Sequence, residues 1–419
     1  MLFREVISNM VRTAFSTFVA AGTGLLLSAQ VMASELVINA NTSGPAPKAA
    51  FEKLVEDFKA ENPDIEVTFN IFEHEAFKTA IRNFLTAEPP DVVTWFAGNR
   101  MKVFVDRGLF EDVTDVWQEN NLDELMASSA SALEVGGKKY GVPYAYYQWG
   151  VYYRKDLFEQ AGADVPTTWD ELLAVGEKLR AADITPVTIG TKYLWTAAGW
   201  FDYLNIRTNG LPFHLELTDG KASYTDDRVK KTFGHWKELI DAGFFLENHA
   251  SYSWQEAQPF LFQGKAAMYL IGNFLVPNFP EDVKDKMGYF QFPVIDASVP
   301  MYEDAPTDTL HIPSGAQNKE NARKFLAFAA RADNQGPLNE TLGNLPPNKD
   351  AVIPDDPFLQ AGMKVLSEAA GLAQFYDRDT DPEMAKIGMQ GFQEFMVKPD
   401  RMDAILERLE KARARIFKG

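Results

Sequence analysis

Aromatic rings and hydrogen-bonding side chains recur together along this chain. Between Gly136 and Gly162 six tyrosines, Tyr140, Tyr144, Tyr146, Tyr147, Tyr152 and Tyr153, surround Trp149. Trp95 is followed closely by Asn99 and Arg100. Trp195 and Trp200 lead to Asp202, and Trp254 stands further on. Such residues suit a polyhydroxyl ligand such as a neutral sugar. Flat rings cover its apolar C–H faces at small entropic cost. Carboxylates, amides and an arginine replace hydrogen bonds to water, and any bond left unmade is expensive.

Catalytic chemistry finds less support. The five histidines, His74, His214, His235, His249 and His311, form no H-E-x-x-H pair, and neither a G-x-S-x-G elbow nor a phosphate-cradling G-x-x-x-x-G-K-[ST] loop is present. The chain has no cysteine. That excludes disulfides, thiolate catalysis, Cys-based zinc sites and a lipidated N-terminal cysteine. Glu73 and Glu75 invite comparison with a glycosidase acid and base, but closeness in sequence does not set their spacing across a bond. Adjacent tyrosines on a strand face opposite sides, so neither Tyr146-Tyr147 nor Tyr152-Tyr153 chelates a ferric ion alone. The expectation is a binding protein, not an enzyme, with no cofactor and no metal. A net charge of −18 opposes nucleic-acid binding and favours solubility.

The elements that must position these residues begin after Ala33. Residues 1–33 read as a signal peptide: Arg4 and Arg12 are basic, Phe15 to Leu27 is apolar, and Val31-Met32-Ala33 precedes a cut at Ser34. The apolar run is shorter than the ~20 residues a membrane span needs. The mature chain is therefore expected in a periplasm and not to span the membrane. At about 150 residues per domain, two or three domains are expected. Glu35 to Asn39, Ile65 to Ile71 and Asp91 to Trp95 read as strands, each followed by a helical stripe such as Phe51, Leu54, Val55 and Phe58. This order predicts a parallel, doubly wound α/β sheet, whose ligands sit beyond the carboxyl ends of the strands. Asn41-Thr42-Ser43, Glu73-His74-Glu75 and Trp95 to Arg100 occupy that position. Thr42 and Ser43 suit helix capping equally well.

Val142 to Tyr153 reads as one long extended segment that carries the chain between lobes and lays rings, Tyr147 and Trp149 among them, on a cleft floor. Thr168-Trp169-Asp170-Glu171 is a capping box. Trp169 and Trp236 fall on core stripes, whereas Trp195 and Trp200 suit either a binding platform or a helical core pair. Leu211 to Ser223 reads as a surface excursion. Gly272-Asn273-Phe274 turns into a helix whose free amides could grip a ligand hydroxyl. Asp308 lies on a strand returning to the first lobe. Arg378 lies in the polar loop Tyr376 to Thr380 and suits either a surface ion pair or the cleft.

Four motifs in this order resemble the extracellular solute-binding proteins of carbohydrate ABC importers, the group containing maltose- and trehalose-binding proteins. They are the aromatic crossover, Pro166 to Leu172, Gly264-Lys265-Ala266-Ala267-Met268 with Gly272-Asn273, and Gly343-Asn344-Leu345-Pro346-Pro347. The resemblance implies a two-lobed periplasmic-binding-protein fold, each lobe a sheet flanked by helices, with the ligand cleft between them. It implies residues 34–145 as the first part of lobe 1 and 146–306 as the first part of lobe 2. Residues 307–357 would return to lobe 1, and 358–419 would be lobe 2 with closing helices. It brings the Trp254 helix near the cleft. It further implies a monomer that binds a small carbohydrate, closes by a hinge and delivers the ligand to the transmembrane subunits of an ABC permease. The candidate ligand residues are Asn41, Ser43, Glu73, His74, Trp95, Asn99, Arg100, Tyr147, Trp149, Trp195, Asp202, Trp254, Gly272, Asn273, Asp308 and Arg378. Arg100 and Arg378 also suit a charged sugar. Two alternatives stand beside this reading: a polyamine held by cation–π contacts, and a secreted glycoside hydrolase.

Overall fold

The computed structural model describes residues 34–418; the expected signal peptide lies outside the described residues. Leu36, Ile38 and Ala40 alternate along strand β1 (Ser34–Thr42) and are fully buried on one face, as the two-residue period of a strand requires. β1 runs parallel to both β2 (Ile65–Glu73) and β3 (Val92–Phe96). Helix α1 (Pro45–Glu61) buries Phe51, Leu54, Val55 and Phe58 against this sheet. α2 (His74–Thr86) and α3 (Asn99–Val105) follow β2 and β3.

The aromatic segment is two strands, not one. β4 (Val142–Tyr146) completes the first sheet and β5 (Trp149–Arg154) begins the second, with Tyr147-Gln148 between them. The second sheet adds β6 (Thr185–Val187), β7 (Ala266–Gly272) and β8 (Met287–Phe290) in the order β8-β5-β7-β6. The chain then returns as β9 (Thr307–His311), and the first sheet reads β2-β1-β3-β9-β4. β9 is antiparallel to both its neighbours, so the sheet is mixed where a parallel one was expected. The reason is connectivity. β4 leaves this sheet for the second and β9 comes back from it, so the end of β4 and the start of β9 meet (Tyr146 pairs with Thr307) and the strands must oppose.

Each sheet carries its own apolar core. Phe51, Phe58, Trp117 and Phe325 belong to the first, and Trp200, Phe201, Trp236 and Phe392 to the second. The result is a two-lobed α/β fold. In the second lobe Thr168 and Glu171 form the expected capping box on α4 (Trp169–Ala181). The expected surface excursion at Leu211 is instead helical. α5 (Trp195–Thr218) continues through it with Leu211, Phe213 and Leu217 buried. Gly210 makes this possible at φ 80°, a region glycine enters without steric cost. The kink lets Pro212 begin a fresh helical turn, where proline is tolerated. α6 (Trp254–Phe262), the one-turn α7 (Tyr376–Asp379) and α8 (Pro382–Val397) pack around the same core. Among the described residues no helix is long and apolar enough to cross a membrane.

Candidate ligand-binding site

The carboxyl ends of β1, β2, β3 and β4 converge with the start of β9 at one edge of the first sheet. They face the start of β5 and the N-termini of α5 and α6 across a cavity of about 110 Å³. The first lobe contributes Asn41, Ser43, His74, Arg100 and Asp308. The second contributes an aromatic wall of Trp149, Trp195, Trp254, Phe274 and Phe375, and the linker Tyr147 lies between. The wall is internally packed. Trp149 meets Trp195 edge-on at 5.9 Å and Phe375 at a 33° tilt at 4.9 Å, and Trp254 meets Phe274 edge-on at 5.2 Å. Such pairs hold rings in fixed orientations.

Two wall positions sit on unusual backbone. Leu194, immediately before Trp195, has φ 71°, and Phe375 has φ 111°. Residues with a side chain rarely adopt positive φ, and such local strain concentrates at functional sites. Here it aims Trp195 and Phe375 at one space.

The polar rim is built from tightly paired groups. Arg378 is buried; its Nη1 donates to the Thr307 carbonyl at 2.9 Å and its Nη2 to the Tyr147 hydroxyl. The guanidinium lies 4.3 Å from the Phe96 ring centre, and Nη2 stands 3.1 Å from Asp308 Oδ1. Arg100 Nη1 donates to Asp377 Oδ2 at 3.0 Å, and Lys78 Nζ stands 2.9 Å from Glu75 Oε2. Burial raises the Asp308 pKa above the usual carboxylate range, although Arg378 works against the rise. Burial, reinforced by Lys78, Arg378 and Arg100, holds His74 well below its ordinary value, so its imidazole is neutral at pH 7. Asn41 donates its amide to Thr94 Oγ1, which leaves Oδ1 to accept from His74 Nδ1–H at 2.9 Å. That fixes the tautomer with Nε2 as acceptor. Asp308 Oδ1, Asn344 Oδ1 and Trp149 Nε1 are buried and find no aligned hydrogen bond among the described residues. All three residues line the cavity.

Of the residues expected from sequence, Asn41, Ser43, His74, Arg100, Tyr147, Trp149, Trp195, Trp254, Asp308 and Arg378 line this cavity. Six others are placed elsewhere. Glu73 is spent as the N-cap of α2, accepting the amides of Glu75 and Ala76. Trp95 turns into the first core against Phe77 and Phe104, because successive side chains of β3 face opposite sides and its neighbour Phe96 takes the cavity. Asn99 donates to the Asp379 carbonyl at 2.7 Å and so docks α3 on α7. Asp202 is buried in the second core, accepting the Tyr376 amide at 2.8 Å. Gly272 ends a fully buried strand. The Asn273 amide is already given to the Gln148 carbonyl at 3.1 Å. Sequence reasoning missed Phe96, Asp377, Phe274, Asn344 and Lys78 as cavity residues. Signals existed for several: Asp377 adjoins Arg378, Phe274 closes the turn begun by Gly272, and Lys78 lies one helical turn beyond His74. Among the described residues no group of three His, Asp or Glu side chains is placed to hold a metal ion.

Residues 41–336 match the family model described as bacterial extracellular solute-binding protein. The chain is 27% identical over 331 residues to an ABC transporter extracellular-binding protein of Pyrococcus horikoshii, covering 77% of this chain and 74% of that one. It is 26% identical over 291 residues to the multiple sugar-binding protein of Streptococcus mutans, covering 68% of each. It is also similar to the solved structure of AcbH, a bacterial solute receptor with an exclusive substrate preference for β-D-galactopyranose. There the TM-score is 0.88 and the identity 28%, over 92% of this chain and 100% of that one. The chain belongs to the bacterial extracellular solute-binding protein family.

Proposed function

We propose that this family member is the substrate-binding component of an ABC importer and that its ligand is a sugar. The observation that carries the reading is the cavity itself, where an ordered aromatic wall from one lobe faces a rim of hydrogen-bonding groups that both lobes supply. Rings cover C–H faces while amides and carboxylates receive hydroxyls. The sugar-binding relatives point the same way. In the proposed cycle the open form admits ligand, the lobes hinge shut about Tyr147-Gln148 and Pro306, and the closed monomer docks on the permease in the inner membrane. Transport is then the work of the permease and its ATPase. Cleavage before Ser34 would release the chain into the periplasm.

The rival readings lose support at the site. A polyamine would need free carboxylates, and those lining the cavity, Asp308 and Asp377, are already paired with Arg378 and Arg100. A glycosidase pair built on Glu73 and Glu75 would need Glu73, which is engaged as a helix cap. Thermal unfolding against a panel of mono-, di- and trisaccharides, acidic sugars and polyamines tests the reading. A ligand at about 100 times its dissociation constant adds roughly 2.7 kcal/mol to the folded state. A stabilising shift with a sugar is expected. A shift with polyamines alone, or with no sugar at all, rejects the reading.

A further inference from the structure

The three cations of the cavity are matched one for one by carboxylates: Arg100 by Asp377, Arg378 by Asp308 and Lys78 by Glu75. An anionic ligand would have to compete with carboxylates already 2.9–3.1 Å from each cation. A cationic ligand would find those same carboxylates occupied. In a site shielded from water neither exchange is favourable, because a pair is broken to make one of the same kind. The polar atoms outside these pairings are of another type. Asp308 Oδ1 touches Arg378 without an aligned hydrogen bond, and Asn344 Oδ1 and Trp149 Nε1 are unengaged among the described residues. All three are enclosed; once lobe motion uncovers them, two acceptors and one neutral donor suit hydroxyl groups, which both donate and accept.

We infer that the site takes an uncharged sugar, and that the ion pairs of its rim reject uronic acids and amino sugars. This inference rests on the sugar-binding reading above.

Calorimetric titration of the purified protein tests it, with neutral mono- and disaccharides, the corresponding uronic acids and the 2-amino sugars as probes. The neutral sugar that binds is expected to bind at least 100-fold more tightly than its uronate or its amino derivative. A uronate or amino sugar that binds as well as the neutral sugar overturns the inference and leaves the sugar reading intact. Failure of every sugar overturns both. Asp377→Asn supplies a positive arm, since it frees the Arg100 guanidinium without changing the side chain's shape. The ratio of uronate to neutral affinity is expected to rise at least 10-fold in that variant. An unchanged ratio in a variant that still binds the neutral ring overturns ion pairing as the cause of the selectivity. Should the variant not fold, the wild-type titrations still decide the charge of the ligand.

Discussion

Arg378 Nη2 and Asp308 Oδ1 stand 3.1 Å apart across the join between α7 and β9. One comes from a segment packed on the second core, the other from the first sheet. Replacing Arg378 by alanine leaves the partly buried Asp308 without its countercharge, so stability falls, by up to about 3–5 kcal/mol. Arg378→Met combined with Asp308→Leu removes both charges and recovers most of that loss in urea denaturation, while ligand affinity stays abolished. Recovery of binding in the double variant would show that neither group touches the ligand.

Two tryptophans on α5 separate function from stability. Trp195 is half-buried and lines the cavity, whereas Trp200 is buried against Phe245 and Phe292 in the second core. Trp195→Ala is expected to weaken ligand binding at least tenfold with a small change in Tm. Trp200→Ala costs about 3–5 kcal/mol of stability and leaves the affinity of the folded fraction unchanged. Calorimetry and thermal denaturation of both variants check the split.

Gly98 has φ 72°, and a Cβ there would come within 2.7 Å of the Arg378 carbonyl oxygen. Gly98→Ala therefore strains the backbone and pushes α7 from α3, at an expected cost of about 1–3 kcal/mol. Because α7 carries Asp377 and Arg378, ligand affinity falls with it. An alanine variant with unchanged Tm and affinity would contradict the close docking of these two helices.

The pH profile of stability carries a signature of Asp379. Burial pushes its carboxyl up to about 7, against about 3.9 in an unfolded chain. The folded state thus holds the proton more tightly. Its contribution is fully present below about pH 4 and is lost as pH rises through 7. Asp379→Asn keeps an acceptor for the Gln374 amide that Oδ2 now serves at 2.9 Å and removes the titration. The Tm of wild type minus that of the variant should fall from about pH 4 to pH 7 and level off above it. His214, His249 and His311 act in the opposite sense. Burial holds each down at about 4, so stability from their neutral forms fades as pH drops below about 6.5. Comparing wild type with one variant cancels them.

What the sequence shows most clearly is what local spacing determines. The capping box of Thr168 and Glu171, the helical stripe that buries Trp236 and the β-α order of the first three strands are all set within a few residues. The site is half legible for the same reason. Strand ends and helix starts bring Asn41, His74, Trp149, Trp195 and Arg378 to one cavity, but the face each side chain takes depends on a one-residue register. Trp95 and Phe96 exchange roles on that account. Asp202 looks like an open carboxylate in sequence and is a buried acceptor for the Tyr376 amide, a pairing 174 residues away that no local pattern announces. The antiparallel entry of β9 likewise follows from long-range connectivity.

The most direct test is diffraction from crystals of the protein with the sugar that gives the largest thermal shift. The account predicts the ring against Trp149 and Trp195, with hydroxyls within hydrogen-bond distance of Asp308 Oδ1 and Asn344 Oδ1. A sugar bound elsewhere, with this cavity left to water, would contradict it.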